Sequence, residues 1–122
     1  GNKPTELEIN RLINICINTS KFKFNMTDKK IENLATLLIG LSYSDINNIM
    51  SNSMRNAVIN EKDEVVLFDI LRESFLFKNH SINNEEDFIE FLIQGGMTHR
   101  ELQSHGFPLR KVQMISKKVR GE

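Results

Sequence analysis

The chain has 122 residues, of which 39% are hydrophobic and 26% charged, and its sixteen basic side chains balance its sixteen acidic ones. This composition predicts one ordinary globular domain or two very small ones, and it excludes wholesale disorder and a transmembrane or secretion segment, so we expect no membrane partner. One cysteine, Cys16, excludes an internal disulfide and favours a reducing, cytoplasmic setting.

The first half of the chain has the apolar periodicity of three amphipathic helices. Apolar residues predict the first helix over about 5–18: Leu7, Ile9, Leu12, Ile13, Ile15 and Cys16. Thr27 is placed to cap a second helix that ends before Gly40, and its apolar stripe consists of Ile31, Leu34, Ala35 and Leu38. Ser42 and Asp45 predict a capping box for a third helix, with the stripe Ile46, Ile49, Met50, Met54, Ala57 and Val58.

The second half predicts four further helices, over about 67–77, from Asn84 to Gly95-Gly96, near 98–105 and over 108–119. The strand-like run Val65-Val66-Leu67-Phe68 is expected to be too short to found a sheet. The predicted fold class is therefore all-α. We expect a helical bundle over 1–78, a linker over 79–83 and a basic helical module over 84–122.

The net charge of zero is a cancellation between regions of opposite sign. Residues 60–96 hold three basic and nine acidic side chains, a net charge of −6. Residues 97–122 hold six basic and two acidic ones, a net charge of +4. Neutrality therefore does not argue against a nucleic-acid partner, and any basic footprint is confined to residues 97–120.

The chain lacks the motifs of an autonomous enzyme. It has no phosphate-binding Gly-x-x-x-x-Gly-Lys-Ser/Thr loop and no Gly-x-Gly-x-x-Gly. Its histidines, His80, His99 and His105, have no metal-ligand spacing, and Cys16 lies among isoleucines that favour a buried thiol over a nucleophile. We therefore expect no catalytic residues, no metal site and no cofactor in this chain.

Residues 4–78 resemble the small helical lid that follows the nucleotide-binding core in AAA+ ATPases. The resemblance begins at Pro4-Thr5-Glu6-Leu7-Glu8-Ile9 and is sharpest at Gly40-Leu41-Ser42-Tyr43-Ser44-Asp45-Ile46, which is similar to the family's Gly-Phe/Leu-Ser-Gly-Ala-Asp-Ile/Leu element. Val65-Val66-Leu67-Phe68-Asp69-Ile70-Leu71 resembles the start of the last lid helix.

The resemblance implies that Gly40, Tyr43 and Ser44 lie near an adenine nucleotide when the core is attached. The family has a Gly-Ala pair at the last two positions, where small residues allow close approach to the nucleotide. Tyr43 departs from this pattern, and its ring could either cover a base or block the approach.

Residues 88–119 resemble a helix-turn-helix of the form Gly-Met-Thr-x-x-Glu-Leu-Ala-x-x-Leu-Gly-Ile-Ser-x-x-Thr-Val. The matching residues are Gly96-Met97-Thr98-His99-Arg100-Glu101-Leu102, then Gly106-Phe107-Pro108, then Val112. Thr98 and Glu101 are placed as a capping box, and Gly106 as the left-handed turn. Two departures are Gln103, where the family has a small residue, and a turn that is one residue shorter.

In this arrangement, Arg110 and Gln113 would face base edges, because arginine bonds guanine and glutamine bonds adenine through two hydrogen bonds each. Basic residues around them would contact phosphates: Arg100, Lys111, Lys117, Lys118 and Arg120. Alternatives are a solvated basic face, RNA, or an acidic protein surface.

Together these features predict the non-catalytic C-terminal fragment of a bacterial-type AAA+ ATPase, with a start that is cut rather than natural. The missing core of the same polypeptide would bind ATP and Mg²⁺, and the parent protein could form a ring, whereas the fragment is expected to be monomeric. The alternatives are a self-contained helical DNA-binding regulator and a protein-interaction adaptor.

Overall fold

Seven helices and two short strands make up most of residues 3–79 and 81–121, the part of the chain that a computed structural model describes. They are α1 (Glu6–Thr19), β1 (Lys23–Asn25), α2 (Asp28–Leu37), α3 (Tyr43–Ile59), β2 (Glu64–Val66), α4 (Leu67–Asn79), α5 (Glu85–Gln94), α6 (His99–Ser104) and α7 (Leu109–Val119). The predicted all-α fold class is confirmed. His80, in the predicted linker, lies outside the described residues.

Side-chain oxygens cap the starts of several helices. The Ser42 hydroxyl accepts a hydrogen bond from the Asp45 N–H at 3.1 Å, and the Asp45 carboxylate accepts one from the Ser42 N–H at 3.1 Å. Thr98 and Glu101 form the same reciprocal box, and Thr27 caps α2. These three predicted helix starts are confirmed. Each cap satisfies backbone N–H groups that would otherwise lack a partner and contributes about 1 kcal/mol.

The two strands form a parallel pair, with Phe24 opposite Val65. The prediction that the run at Val65 is too short to found a sheet is therefore wrong, because β1 supplies a partner strand. β1 lies within Lys21-Phe22-Lys23-Phe24-Asn25-Met26, where polar and apolar residues alternate strictly, and this strand signal was overlooked. Val65 is fully buried in this pair.

Helices α1–α4 pack around a shared apolar core, with α1 against α2 and α3, and α3 against α4. Its buried residues include Ile9, Ile13, Ile31, Leu34, Ala35, Leu38, Ile46, Ile49, Met50 and Ala57. Leu7, Ile15 and Val58 were predicted as members of the apolar stripes but are largely exposed. Periodicity identified their helices correctly, but no neighbouring helix covers these three positions.

The C-terminal helices are joined to α4 by aromatic packing. Phe88 of α5 lies against Phe75, with ring centroids 5.1 Å apart, and Phe68 stacks on His105 at 4.0 Å. Phe107 lies 6.4 Å from Phe68. The buried residues before and after the predicted linker therefore belong to one continuous core.

Gly95, just after α5, allows close approach between α5 and α4. A Cβ atom at this position would lie 2.7 Å from both Cδ atoms of Leu71 and 3.2 Å from Cδ1 of Leu37. Leu71 is fully buried, so its methyl groups have little room to move away. The missing side chain at Gly95 thus helps to set the distance between the two helices.

Gly95→Ala should reduce stability by about 1–3 kcal/mol through overpacking, although alanine has the higher helix propensity. Leu71→Val removes one methylene at the contact, so the double variant should lose less stability than the sum of the two single variants. Urea unfolding followed by circular dichroism measures the four proteins. A Gly95→Ala protein as stable as the parent, or strictly additive losses, would contradict the close contact.

Candidate nucleic-acid interface

Helices α6 and α7 form a helix-turn-helix-like pair. The His105 N–H donates to the Glu101 carbonyl at 3.2 Å where α6 ends, and Gly106 follows in the left-handed region with φ = 93°. Pro108 is the N-cap of α7. The connection over 105–108 has a length that is common in such turns, so the predicted left-handed turn at Gly106 is confirmed despite the shorter spacing.

The inner faces of this pair are apolar. Leu102, Val112 and Ile115 are buried, and Phe107 is partly buried against the core. Gln103 occupies the position at which the helix-turn-helix family has a small residue, but the Gln103 side chain is exposed. The larger residue therefore does not separate the two helices.

The outer face of α7 brings together most of the side chains predicted to contact DNA. Successive helical residues are about 100° apart, so Arg110, Met114 and Lys117 share the side opposite Val112 and Ile115. The exposed residues of this face are Arg110, Gln113, Met114, Lys117 and Lys118, and they line a shallow surface groove. We call these five residues the outer face of α7. Met114 was missed by the sequence analysis, although its spacing of four from Arg110 and three from Lys117 was the available signal.

Charge on this face is largely unneutralised within the protein. Among the described residues, Arg110, Lys117 and Lys118 have no acidic partner within ion-pair distance, and neither does the exposed Arg100 of α6. Clustered cations without such partners favour the binding of an anion.

Lys111 differs from the other predicted contact residues. Its ammonium group lies 3.2 Å from a carboxylate oxygen of Glu85, in the first turn of α5, where Glu86 and Asp87 follow. Acidic side chains therefore border α7 on this side. Lys111 is partly neutralised and is the weakest candidate for a phosphate contact in the predicted set.

The acidic residue of α6 is bound within the fold. The Glu101 carboxylate accepts the cap hydrogen bond from the Thr98 N–H and lies 3.3 Å from the ammonium group of Lys30 in α2. Burial alone would raise the pKa of Glu101, but the Thr98 N–H and Lys30 lower it overall, so the carboxylate is ionised. This ion pair ties α6 to α2.

The predicted nucleotide-proximal residues lie at the start of α3. Gly40, in the turn before α3, has φ = 98°, and a Cβ atom at this position would have no atom within 4 Å. Ser44 is exposed. The Tyr43 hydroxyl donates a 2.6 Å hydrogen bond to a carboxylate oxygen of Glu8 in α1. This hydrogen bond connects the start of α3 to α1.

Metal-ligand and nucleophile geometry is not found in the described part of the chain. No group of three or more histidine, cysteine or acidic side chains is assembled within residues 3–79 and 81–121. The Cys16 thiol lies 3.6 Å from the Asn47 side-chain oxygen, and burial raises its pKa, which disfavours the reactive thiolate.

Of the helices described, none is both long and apolar enough to span a membrane. Comparison of the chain with protein-family models, curated proteins and solved structures finds no match.

The Tyr43–Glu8 hydrogen bond should make stability depend on pH. The Tyr43 hydroxyl, followed by Thr5, lowers the pKa of Glu8, so this contribution is complete above the ordinary carboxyl pKa and is lost as pH falls through the lowered one. The same bond raises the pKa of Tyr43, so it is also lost as pH rises through that raised value. Tyr43→Phe should therefore unfold at a lower temperature than the parent at neutral pH, with the difference shrinking in acid and in strong base.

Ser44→Ala is the matched control, because the exposed Ser44 side chain makes no hydrogen bond to any described residue. Thermal unfolding across pH, followed by circular dichroism, should give parallel curves for Ser44→Ala and the parent. A difference between Tyr43→Phe and the parent that stays constant from neutral to acid pH would contradict the role of Glu8.

Proposed function

We propose that this chain is a non-catalytic module of an AAA+ ATPase, in which a lid-like bundle, α1–α4, carries a helix-turn-helix-like unit, α5–α7, that binds DNA. ATP and Mg²⁺ would be bound by a core elsewhere in the same polypeptide. The observation that carries the DNA-binding part is the outer face of α7, where Arg110, Lys117 and Lys118 are exposed without an acidic partner among the described residues.

DNA fits this face better than a small anion does. Arg110, Lys117 and Lys118 are spread over about two helical turns, which matches the repeated phosphates of a nucleic-acid backbone, and each contact releases a counterion. Gln113 and Arg110 add side chains that can recognise base edges, while Arg100 and Lys118 are placed to contact phosphates. An α-helix about 10–12 Å across also matches the roughly 12 Å width of the DNA major groove.

Packing between the two units supports a mechanical connection. The Lys30–Glu101 ion pair, the close contact at Gly95 and the stacking of Phe68 on His105 join the bundle to the tail in different places. A movement of the lid during ATP binding and hydrolysis would then displace the DNA-binding helix with it. In this proposal the chain transmits motion and performs no chemistry.

DNA binding is tested by fluorescence anisotropy with a labelled duplex over a range of salt concentrations. The parent should bind with an affinity that falls steeply as salt rises. Lys117→Ala should reduce the slope of log affinity against log salt by about 1, and Arg110→Ala should weaken binding about tenfold.

Lys21→Ala is the control for lost charge, because Lys21 is an exposed lysine in the loop before β1. It should leave both affinity and salt slope nearly unchanged. Binding that does not depend on salt, or equal losses in Lys21→Ala and Lys117→Ala, would exclude the outer face of α7 as the DNA-binding surface.

The lid part of the proposal predicts a monomer that does not turn over ATP. Sedimentation velocity should give the mass of a single chain, and calorimetric titration with Mg-ATP should detect at best millimolar binding. The coding region before Lys3 should specify a P-loop core of on the order of two hundred residues. Micromolar ATP binding, ATP turnover by this chain, or a start codon at Lys3 would overturn it.

A self-contained, dimeric DNA-binding regulator is the second candidate. It is favoured by Leu7 and Ile15, which are exposed two turns apart on α1, and by Val58 and Ile59, which are exposed at the end of α3. Exposed apolar side chains of this kind are common at subunit interfaces. A concentration-dependent dimer in the same sedimentation experiment would favour this candidate over the lid.

A further inference from the structure

An apolar side chain lies at the centre of the basic outer face of α7. Met114 is 55% exposed, and it is one helical turn from Arg110 on one side and from Lys117 on the other. The shallow surface beside it is lined by Pro108, Arg110 and Lys111. Single exposed apolar side chains are common on protein surfaces, but Met114 is distinguished by its place between cations on the face proposed to bind DNA.

We propose that Met114 contacts the 5-methyl group of thymine in the DNA major groove, which makes A·T base pairs the preferred target of α7. This inference rests on the proposed DNA-binding function and adds the class of sequence that is bound. Thymine is the only standard base that presents a methyl group in the major groove, where apolar side chains contact it.

The arrangement of charges around Met114 identifies the occupant. A partner on this face must be negatively charged at the edges, to face Lys117 and Lys118 on the two sides of Met114, and apolar at the centre, to cover Met114. Duplex DNA has this pattern, because the phosphates line both sides of the major groove and the thymine methyl groups lie between them. Gln113, beside Met114, can form two hydrogen bonds with the adenine of the same or a neighbouring pair.

Duplex RNA does not fit the same face. Its major groove is deep and narrow, so a helix cannot enter, and its uracil bases lack the methyl group. An acidic protein would match the cations but would have to place an apolar side chain at Met114 between its carboxylates. Tighter binding of either of these two partners than of duplex DNA would show that DNA is the wrong choice.

The experiment compares duplexes that differ in the thymine methyl group alone. The probes are alternating d(AT) and d(AU) duplexes of about 24 base pairs, a little over two helical turns. Both are measured at one salt concentration by fluorescence anisotropy, because affinity depends on salt. The parent should bind the d(AT) duplex about fourfold more tightly, the effect of burying one methyl-sized apolar group.

Two variants assign this preference. Met114→Ala should bind both duplexes equally, with about the affinity that the parent has for d(AU). Lys117→Ala should weaken binding to both duplexes by the same factor and keep the preference for d(AT). Circular dichroism should give the same spectrum and unfolding temperature for Met114→Ala as for the parent, because this side chain is exposed.

The outcomes separate this inference from the function on which it rests. A parent protein that binds neither duplex overturns DNA binding and this inference together. Equal binding of d(AT) and d(AU) by the parent overturns the inference and leaves DNA binding intact. A preference that survives in Met114→Ala overturns the assignment to Met114, and tighter binding of duplex RNA or of an acidic peptide overturns the choice of DNA.

Discussion

The whole arrangement depends on helix α4, because its side chains pack into both parts of the core. Leu71 lies against Gly95, Phe75 packs on Phe88, and Phe68 stacks on His105 at the turn before α7. Burial is the main effect that lowers the pKa of His105, which keeps the stacked ring uncharged at neutral pH. A helix shared in this way fixes the orientation of α6 and α7 relative to the bundle. The segment 79–83 therefore connects two parts of one core, and the packing on α4 is the connection through which the proposed function would transmit movement.

Helix positions could be predicted from the sequence because their signals are local. Ser42 and Thr98 lie within a few residues of the groups they cap, and a capping box or an apolar stripe is complete within one short segment. β1 was missed although polar and apolar residues alternate from Lys21 to Met26, whereas its pairing with Val65, about forty residues away, has no local signal. The exposure of Leu7 and Ile15 was missed for a related reason. Periodicity places apolar residues on one side of a helix, but a neighbouring helix decides whether that side is covered.

The candidate interface, too, could be predicted where its signals are local to one helix, but not where they depend on packing between helices. The spacing of Arg110, Gln113 and Lys117 placed them on one side of α7, and the structure brings them together on an exposed surface. The pairing of Lys111 with Glu85 was not predictable, because it depends on how α5 packs beside α7. Met114 was overlooked because an apolar residue in an amphipathic helix is usually assigned to the core. Its exposure became meaningful only when Val112 and Ile115 were seen to occupy the buried side.

The acidic first turn of α5 beside the basic outer face of α7 gives this end of the molecule an electric dipole, although the chain as a whole carries no net charge. In the field of a polyanion, such a dipole would favour approach with the basic outer face of α7, rather than the acidic turn of α5, toward the partner. This orientation raises the fraction of collisions that lead to binding, and so the association rate. The affinity of the final complex is set by the direct contacts. Screening limits it to about 8 Å at physiological ionic strength, so the association rate is expected to depend on salt through orientation as well as attraction.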